Sequence, residues 1–187
     1  VLITTHCEDS PLIAKNEKKA YETYGVDIPV RLHEEIRSRE ACLMSTKKAI
    51  DLATEFNSNL HVLHISTKEE IQLFNEGPIE GKKITSEVCV PHLLFSSSDY
   101  DNLGSLIKCN PSIKDKTDKA ALRKALKDGA IDYVATDHAP HVLSEKEKNY
   151  LKSASGMPSV QHSFLAVLEL VHDGDIEITD VPKITSH

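Results

Sequence analysis

The sequence predicts an α/β fold of about four parallel strands with flanking helices, and three observations carry that expectation. Apolar runs of strand length recur along the 187 residues, most are followed by a segment with helical apolar spacing, and three of the four runs stop at a histidine or an aspartate. Strands alternating with helices form βαβ units, whose strands pair in parallel.

Val1-Leu-Ile-Thr-Thr opens as a buried strand and delivers His6 at its end, where the polar cluster His6-Cys7-Glu8-Asp9-Ser10 stops it. From Ser38 to Phe56 the spacing is helical, with Cys42, Ala49, Ala53 and Phe56 close to one stripe. Leu60 to Ile65 is the second strand and carries His64. Ser66-Thr-Lys-Glu69 behind it matches a capping box opening a helix that should end near Gly77-Pro78.

Ile84 to Val90 is the third strand, halted by Pro91-His92. A helix over Asp118–Asp128 turns Leu122, Ala125 and Leu126 inward and stops at Gly129. Ala130 to Thr136 is the fourth strand and runs into Asp137-His-Ala-Pro-His141. From Ser159 to His172 a stripe of Val160, Phe164, Val167, Leu168 and Val171 marks a last helix, ended at Gly174. Ser144 to Lys152, rich in Lys and Glu, reads as a solvated surface loop. The chain shows no internal repeat and no low-complexity segment, so residues 1–187 read as a single domain.

Composition bounds the partners. With 40% hydrophobic and 27% charged residues the chain reads as an ordinary soluble protein, and no apolar run approaches the roughly 20 residues of a membrane span. A net charge of −7 argues against nucleic acid, because phosphate contacts need clustered Lys and Arg. A small anionic substrate fits if metal ions supply the positive field. Cys7, Cys42, Cys89 and Cys109 form no CxxC pair and are expected as reduced thiols, which with the lack of a visible leader suggests the cytoplasm. The start without Met suits a piece of a longer chain.

In parallel α/β architectures the site lies at the carboxyl ends of the strands, where His6, His64 and Asp137 should converge. Each alone has a structural reading, since a strand-end histidine often only bonds its neighbours. Together, imidazole and carboxylate suit zinc, with manganese or cobalt as substitutes. On a continuing pleat Cys7 faces away from His6, His138 faces away from Asp137 and packs against backbone, and His61 faces the helices. His92 reads as structural, while Glu8 and Asp9 orient their turn or accept a hydrogen bond from a neighbouring loop.

Thr5-His6-Cys7-Glu8-Asp9, His61-Val-Leu-His64-Ile-Ser-Thr-Lys-Glu69 and Ala135-Thr-Asp137-His-Ala-Pro-His141 resemble the signature segments of dihydroorotases, within the amidohydrolase superfamily. Glu87-Val-Cys-Val-Pro91-His92 and Cys109-Asn110-Pro111 fall in the right order between them. The resemblance implies a partial (β/α)8 TIM-type barrel, its central and C-terminal half, since a complete one typically needs about 250 residues. It implies His6 and His64 as zinc ligands, with one or two ions in a complete site, and Asp137 as both ligand and general base. By the same resemblance, a metal-activated water would attack the ring amide of dihydroorotate, Asp137 would carry its proton to the leaving nitrogen to give N-carbamoyl-aspartate, and the reverse would serve pyrimidine biosynthesis. His141 and Asn110 would hold the substrate carboxylate and ring edge, and backbone near Ser155-Gly156 would close over the ring.

The resemblance has departures. Asn110-Pro111 also reads as a plain turn, and Ser112 and Lys114 stand where Pro and Arg are usual. No His-x-His occurs in the sequence; on the resemblance, the first four strands of such a barrel would lie outside these residues, and Ile184 to His187 would fall just before a return to a small β-sandwich. The chain alone is therefore expected to be inactive and, with open strand edges, to dimerise or exchange strands. Allantoinase, hydantoinase or dihydropyrimidinase chemistry is the alternative within enzymes. A non-catalytic amidohydrolase-like scaffold is the alternative outside them.

Overall fold

A computed structural model describes residues 1–186. Four strands, β1 (Leu2–Thr5), β2 (Asn59–Val62), β3 (Ile84–Cys89) and β4 (Tyr133–Ala135), pair in parallel in the order β1-β2-β3-β4. Strand order therefore follows chain order, with no reversal. That is the arrangement of an arc of a (β/α)8 barrel; a doubly wound sheet would change direction partway.

Between the strands run α1 (Ser10–Tyr24), α2 (His33–Ile36), α3 (Arg39–Glu55), α4 (Lys68–Ile71), α5 (Val90–Leu94), α6 (Tyr100–Leu103) and α7 (Lys116–Asp128). After β4 come α8 (Leu143–Lys146), α9 (Ser163–His172) and α10 (Val181–Thr185), and His187 lies outside the described residues. Asp9 caps α1 by accepting from Leu12 N at 2.8 Å, and Pro11 occupies the first turn, where its missing N–H costs nothing. Asp115 caps α7 and Gly129 ends it at φ +72°, a backbone that an L side chain rarely adopts.

The sheet has two unlike faces. Leu60, Val62 and Val88 pack with Leu122, Ala125 and Leu126 of α7, and with Val167 and Leu170 of α9, in the main core. The other face, the barrel interior, carries His61, Thr85, Glu87 and Tyr133. Leu2 and Ile3 of the edge strand β1 stay exposed.

Several expectations are corrected here. The capping box is Thr67 with Glu70, one residue later than the spacing suggests, and α4 ends at Ile71 well before Gly77. Pro91-His92 does end β3, but by opening the short α5. In α9 the buried positions are Ala166, Val167 and Leu170, while Phe164 is 57% exposed, so the inward stripe is rotated from the expected one. The segment 144–152 is not simply solvated, because Lys146 and Tyr150 are buried.

Candidate active site

Register brings the first two strand ends level. Thr5 pairs with Val62, Leu63 N donates to Thr5 O at 3.1 Å, and Ile65 N donates to Glu87 O at 2.8 Å. His6 follows β1 directly and His64 lies just beyond β2. His64 (φ +40°) and Asp137 (φ +41°) both occupy the left-handed region, as Asn57 does, and that backbone costs on the order of 1–2 kcal/mol per residue. The pleat is thereby broken at both, and strain of this kind gathers where a side chain must be aimed.

This break explains one misreading. Parity counted from His64 puts His61 on the helical face, yet His61 bonds Thr85 Oγ1 at 2.8 Å and Glu87 Oε2 at 3.1 Å on the interior face. Alternation holds only while the strand lasts, and β2 ends at Val62.

His6 Nδ1 and His64 Nε2 stand 2.9 Å apart, with the rings edge to face. Neighbouring bonds assign the protons. His6 Nε2 lies 3.0 Å from Glu8 Oε2, a carboxylate that also receives Arg37 Nη1, so His6 Nε2–H donates and His6 Nδ1 keeps a lone pair. His64 Nε2–H then donates to His6 Nδ1, which leaves His64 Nδ1 bare; that atom is buried and has no partner.

His64 is 6% exposed. Burial pushes its pKa below the ordinary imidazole range, helped by His6 and opposed by the charges of Asp137, Glu87 and Glu8. It is neutral near pH 7, the form that binds a metal. For Glu8, burial alone would raise the pKa, but the His6 hydrogen bond and Arg37 bring it below the usual carboxylate range.

The donor set fits a borderline divalent cation. Two imidazoles offer converging nitrogens, and the proton that His64 Nε2 would give up has His64 Nδ1 to receive it. The third expected ligand stands apart. Asp137 is exposed and makes no ion pair with either histidine, and among the described residues no group of three His, Cys, Asp or Glu converges to hold a metal. Its field nevertheless reaches His64. Cys7 packs into the main core, and His138 Nδ1 accepts from Val160 N at 3.1 Å.

Two of the expected substrate residues, Gly156 and His141, lie side by side. Gly156 sits against Ala139 and His141: a Cβ there would lie 2.6 Å from Ala139 Cβ and 3.2 Å from His141 Cδ2. Gly156 N donates to Lys108 O at 2.9 Å, which ties this loop to the segment between β3 and β4 that carries Asn110. Asn110, joined to Pro111 by a cis peptide bond, keeps its Oδ1 buried and without a partner. His141 is exposed and bonds Glu145 at 3.2 Å. His92, as expected, is structural and donates Nε2–H to Pro111 O at 3.0 Å.

Three features escaped sequence reasoning. Lys146 donates to Lys108 O, Ala154 O and Gly156 O at 2.8–3.0 Å, and Lys108 donates to Tyr150 O and to Ser153 O and Oγ at 2.7–3.1 Å. These two buried ammonium groups shape the loop from 146 to 156. The Glu8–Arg37 pair and the interior Glu87–His61 pair are the others. Of these, only the acidic Glu8 beside His6 carries a local signal in the sequence.

Comparison with known proteins places this geometry. A dihydroorotase from Brevibacillus brevis is 34% identical over 191 residues, which take in 98% of this chain and 43% of that protein. One from Fusobacterium nucleatum is 35% identical over 167 residues, 87% of this chain and 37% of its own length. The chain thus spans about two fifths of the length of the curated relatives it matches. Among solved structures, a dihydropyrimidinase from Brevibacillus agri superposes with a TM-score of 0.89 at 23% identity, covering 100% of this chain and 42% of that one. A dihydroorotase from Saccharomyces cerevisiae in complex with 5-fluoroorotic acid gives 0.70 at 20% identity, over 79% of this chain and 42% of that one. These two likenesses establish the fold. No protein-family model matches the chain. The resemblance read from the motifs is therefore a resemblance of the whole chain to part of a dihydroorotase, folded as part of a (β/α)8 barrel.

Proposed function

We propose that this chain is the carboxyl-side part of the barrel of a zinc-dependent cyclic-amide hydrolase that interconverts dihydroorotate and N-carbamoyl-aspartate. The observation that carries the reading is the 2.9 Å approach of His6 Nδ1 to His64 Nε2 at the carboxyl ends of adjacent parallel strands, in a chain similar to dihydroorotases throughout. His6 and His64 would hold the metal, which when bound polarises a carbonyl and lowers the pKa of water.

The chain's own residues supply the rest. Asp137, exposed at the end of β4, takes a proton from the attacking water and returns it to the ring nitrogen that leaves. The buried Oδ1 of Asn110 and the imidazole of His141 offer a hydrogen-bond acceptor and a donor to the ring edge and carboxylate of the substrate. Gly156, without a side chain, lets its loop lie against Ala139 and His141 and close the site toward water.

Dihydropyrimidine or hydantoin hydrolysis is the second reading, favoured by the fold likeness to a dihydropyrimidinase. Zinc-loaded full-length protein assayed on dihydroorotate, dihydrouracil, hydantoin and allantoin separates the two. Preferred turnover of dihydroorotate supports the first reading, and preference for dihydrouracil or hydantoin replaces it with the second. No turnover of any of the four leaves a non-catalytic scaffold.

A further inference from the structure

We propose that Glu8, clamped by Arg37, is a positioning residue that holds His6 with Nε2 protonated and Nδ1 turned toward His64. The inference rests on the metal-site reading above, and it concerns how this chain prepares one ligand. His6 lies one residue past the end of β1, so the strand ladder does not fix its side chain. An imidazole in that setting can flip its ring and exchange tautomers. Only one orientation and one tautomer present Nδ1 as a lone pair at the place where His64 Nε2 arrives.

Glu8 removes that freedom. Its side chain is 1% exposed, and Oε2 accepts from His6 Nε2 at 3.0 Å and from the Arg37 guanidinium. The carboxylate cannot turn away, because its position is fixed from two sides. On its own chain, the next residue is pinned to α3 by Asp9 N donating to Ala41 O at 3.0 Å. On the other side, Arg37 is seated by Ser112 Oγ, which donates to Arg37 O at 3.0 Å, while Lys114 Nζ donates to that hydroxyl at 2.7 Å. The two residues that depart from the usual motif, Ser112 and Lys114, thus support the arginine that holds the carboxylate that orients His6. A carboxylate on the far nitrogen of a ligand histidine fixes its tautomer and raises its basicity, and losing such a partner typically weakens metal binding by about 10–100-fold.

A buried ion pair that merely stabilises the fold would leave the tautomer of His6 unaffected, so the tautomer is the test. Nitrogen-15 spectra of metal-free full-length protein should show His6 with Nε2 protonated and Nδ1 bare. In Glu8→Gln the two tautomers should mix, and zinc affinity, read by chelator competition, should fall by about 10–100-fold at unchanged helical content. If Glu8→Gln does not fold, Glu8→Asp keeps the charge beside Arg37 but falls short of His6, and the same two changes are expected. A wild-type His6 protonated on Nδ1, or variants that keep both the tautomer and the affinity within about threefold, overturns the proposal. Should the wild-type protein bind no zinc, the metal-site reading fails, while the metal-free spectra still decide the role of Glu8.

Discussion

Replacing Gly156 with alanine puts the seating of the substrate loop to a quantitative test. The added Cβ would lie 2.6 Å from Ala139 Cβ and 2.7 Å from Ala139 O, inside any real carbon contact, and one of those two atoms is backbone that cannot swing aside. Gly156 also has φ +138°, which an L residue rarely adopts. Overpacking of this kind costs about 1–3 kcal/mol and the backbone strain about 1–3 kcal/mol more, for a total of roughly 2–6 kcal/mol unless the loop lifts away. Lifting would break the Gly156 N bond to Lys108 O and the Lys146 bond to Gly156 O. Urea unfolding of the full-length protein should therefore show a loss of at least 2 kcal/mol, or, where the loop lifts instead, a KM for dihydroorotate raised about tenfold. A variant with stability within about 0.5 kcal/mol of wild type and an unchanged KM would refute the close packing of this loop.

Other outcomes follow from the same structure. Lys146→Met leaves Ala154 O and Gly156 O without their ammonium donor and should cost about 2–5 kcal/mol, with faster proteolysis between 147 and 155; no loss of stability would show the clamp to be idle. His33 and His92 are buried and neutral, with pKa values held down by burial to about 3 and about 4 against an ordinary 6.5. The unfolded chain binds their protons first, so stability falls as pH drops below 6.5, by up to about 1.4 kcal/mol per unit for each, or about 4 kcal/mol at pH 5. Glu70, whose pKa burial raises, binds its proton first in the folded chain and so opposes this as pH falls from its folded pKa toward the ordinary 4.5; urea midpoints at pH 7 and pH 5 that coincide even in Glu70→Gln would contradict the buried neutral histidines. Asp137→Asn should lower kcat about 10²–10⁴-fold with little change in zinc affinity, whereas kcat within tenfold of wild type would remove Asp137 from the proton path.

Much of the scaffold was legible because its signals are local. Apolar runs marked all four strands, Gly129 marked the end of α7, and His6, His64 and Asp137 stand at strand ends as their positions implied. What escaped depends on contacts distant in sequence or on departures from regular geometry. Helix α1 buries no residue fully, so it has no apolar stripe to betray it, and only Asp9 and Pro11 signal its start. Lys146 and Lys108 look like solvated charges until backbone carbonyls from 150 to 156 fold around them. His61 was misassigned because the backbone turns at His64, and the face of α9 because its helix begins only at Ser163.

The site is likewise half visible. Sequence order predicts three converging ligands, and the structure brings two together while holding Asp137 apart. The paired histidines carry the central claim, and zinc affinity tests it most directly. Chelator competition on the full-length protein should show zinc bound and should show His64→Asn weakening it by at least about 100-fold, because a ligand matters more than the partners behind it. Equal affinity in the wild type and in His64→Asn would contradict the assignment of His6 and His64 as a metal pair.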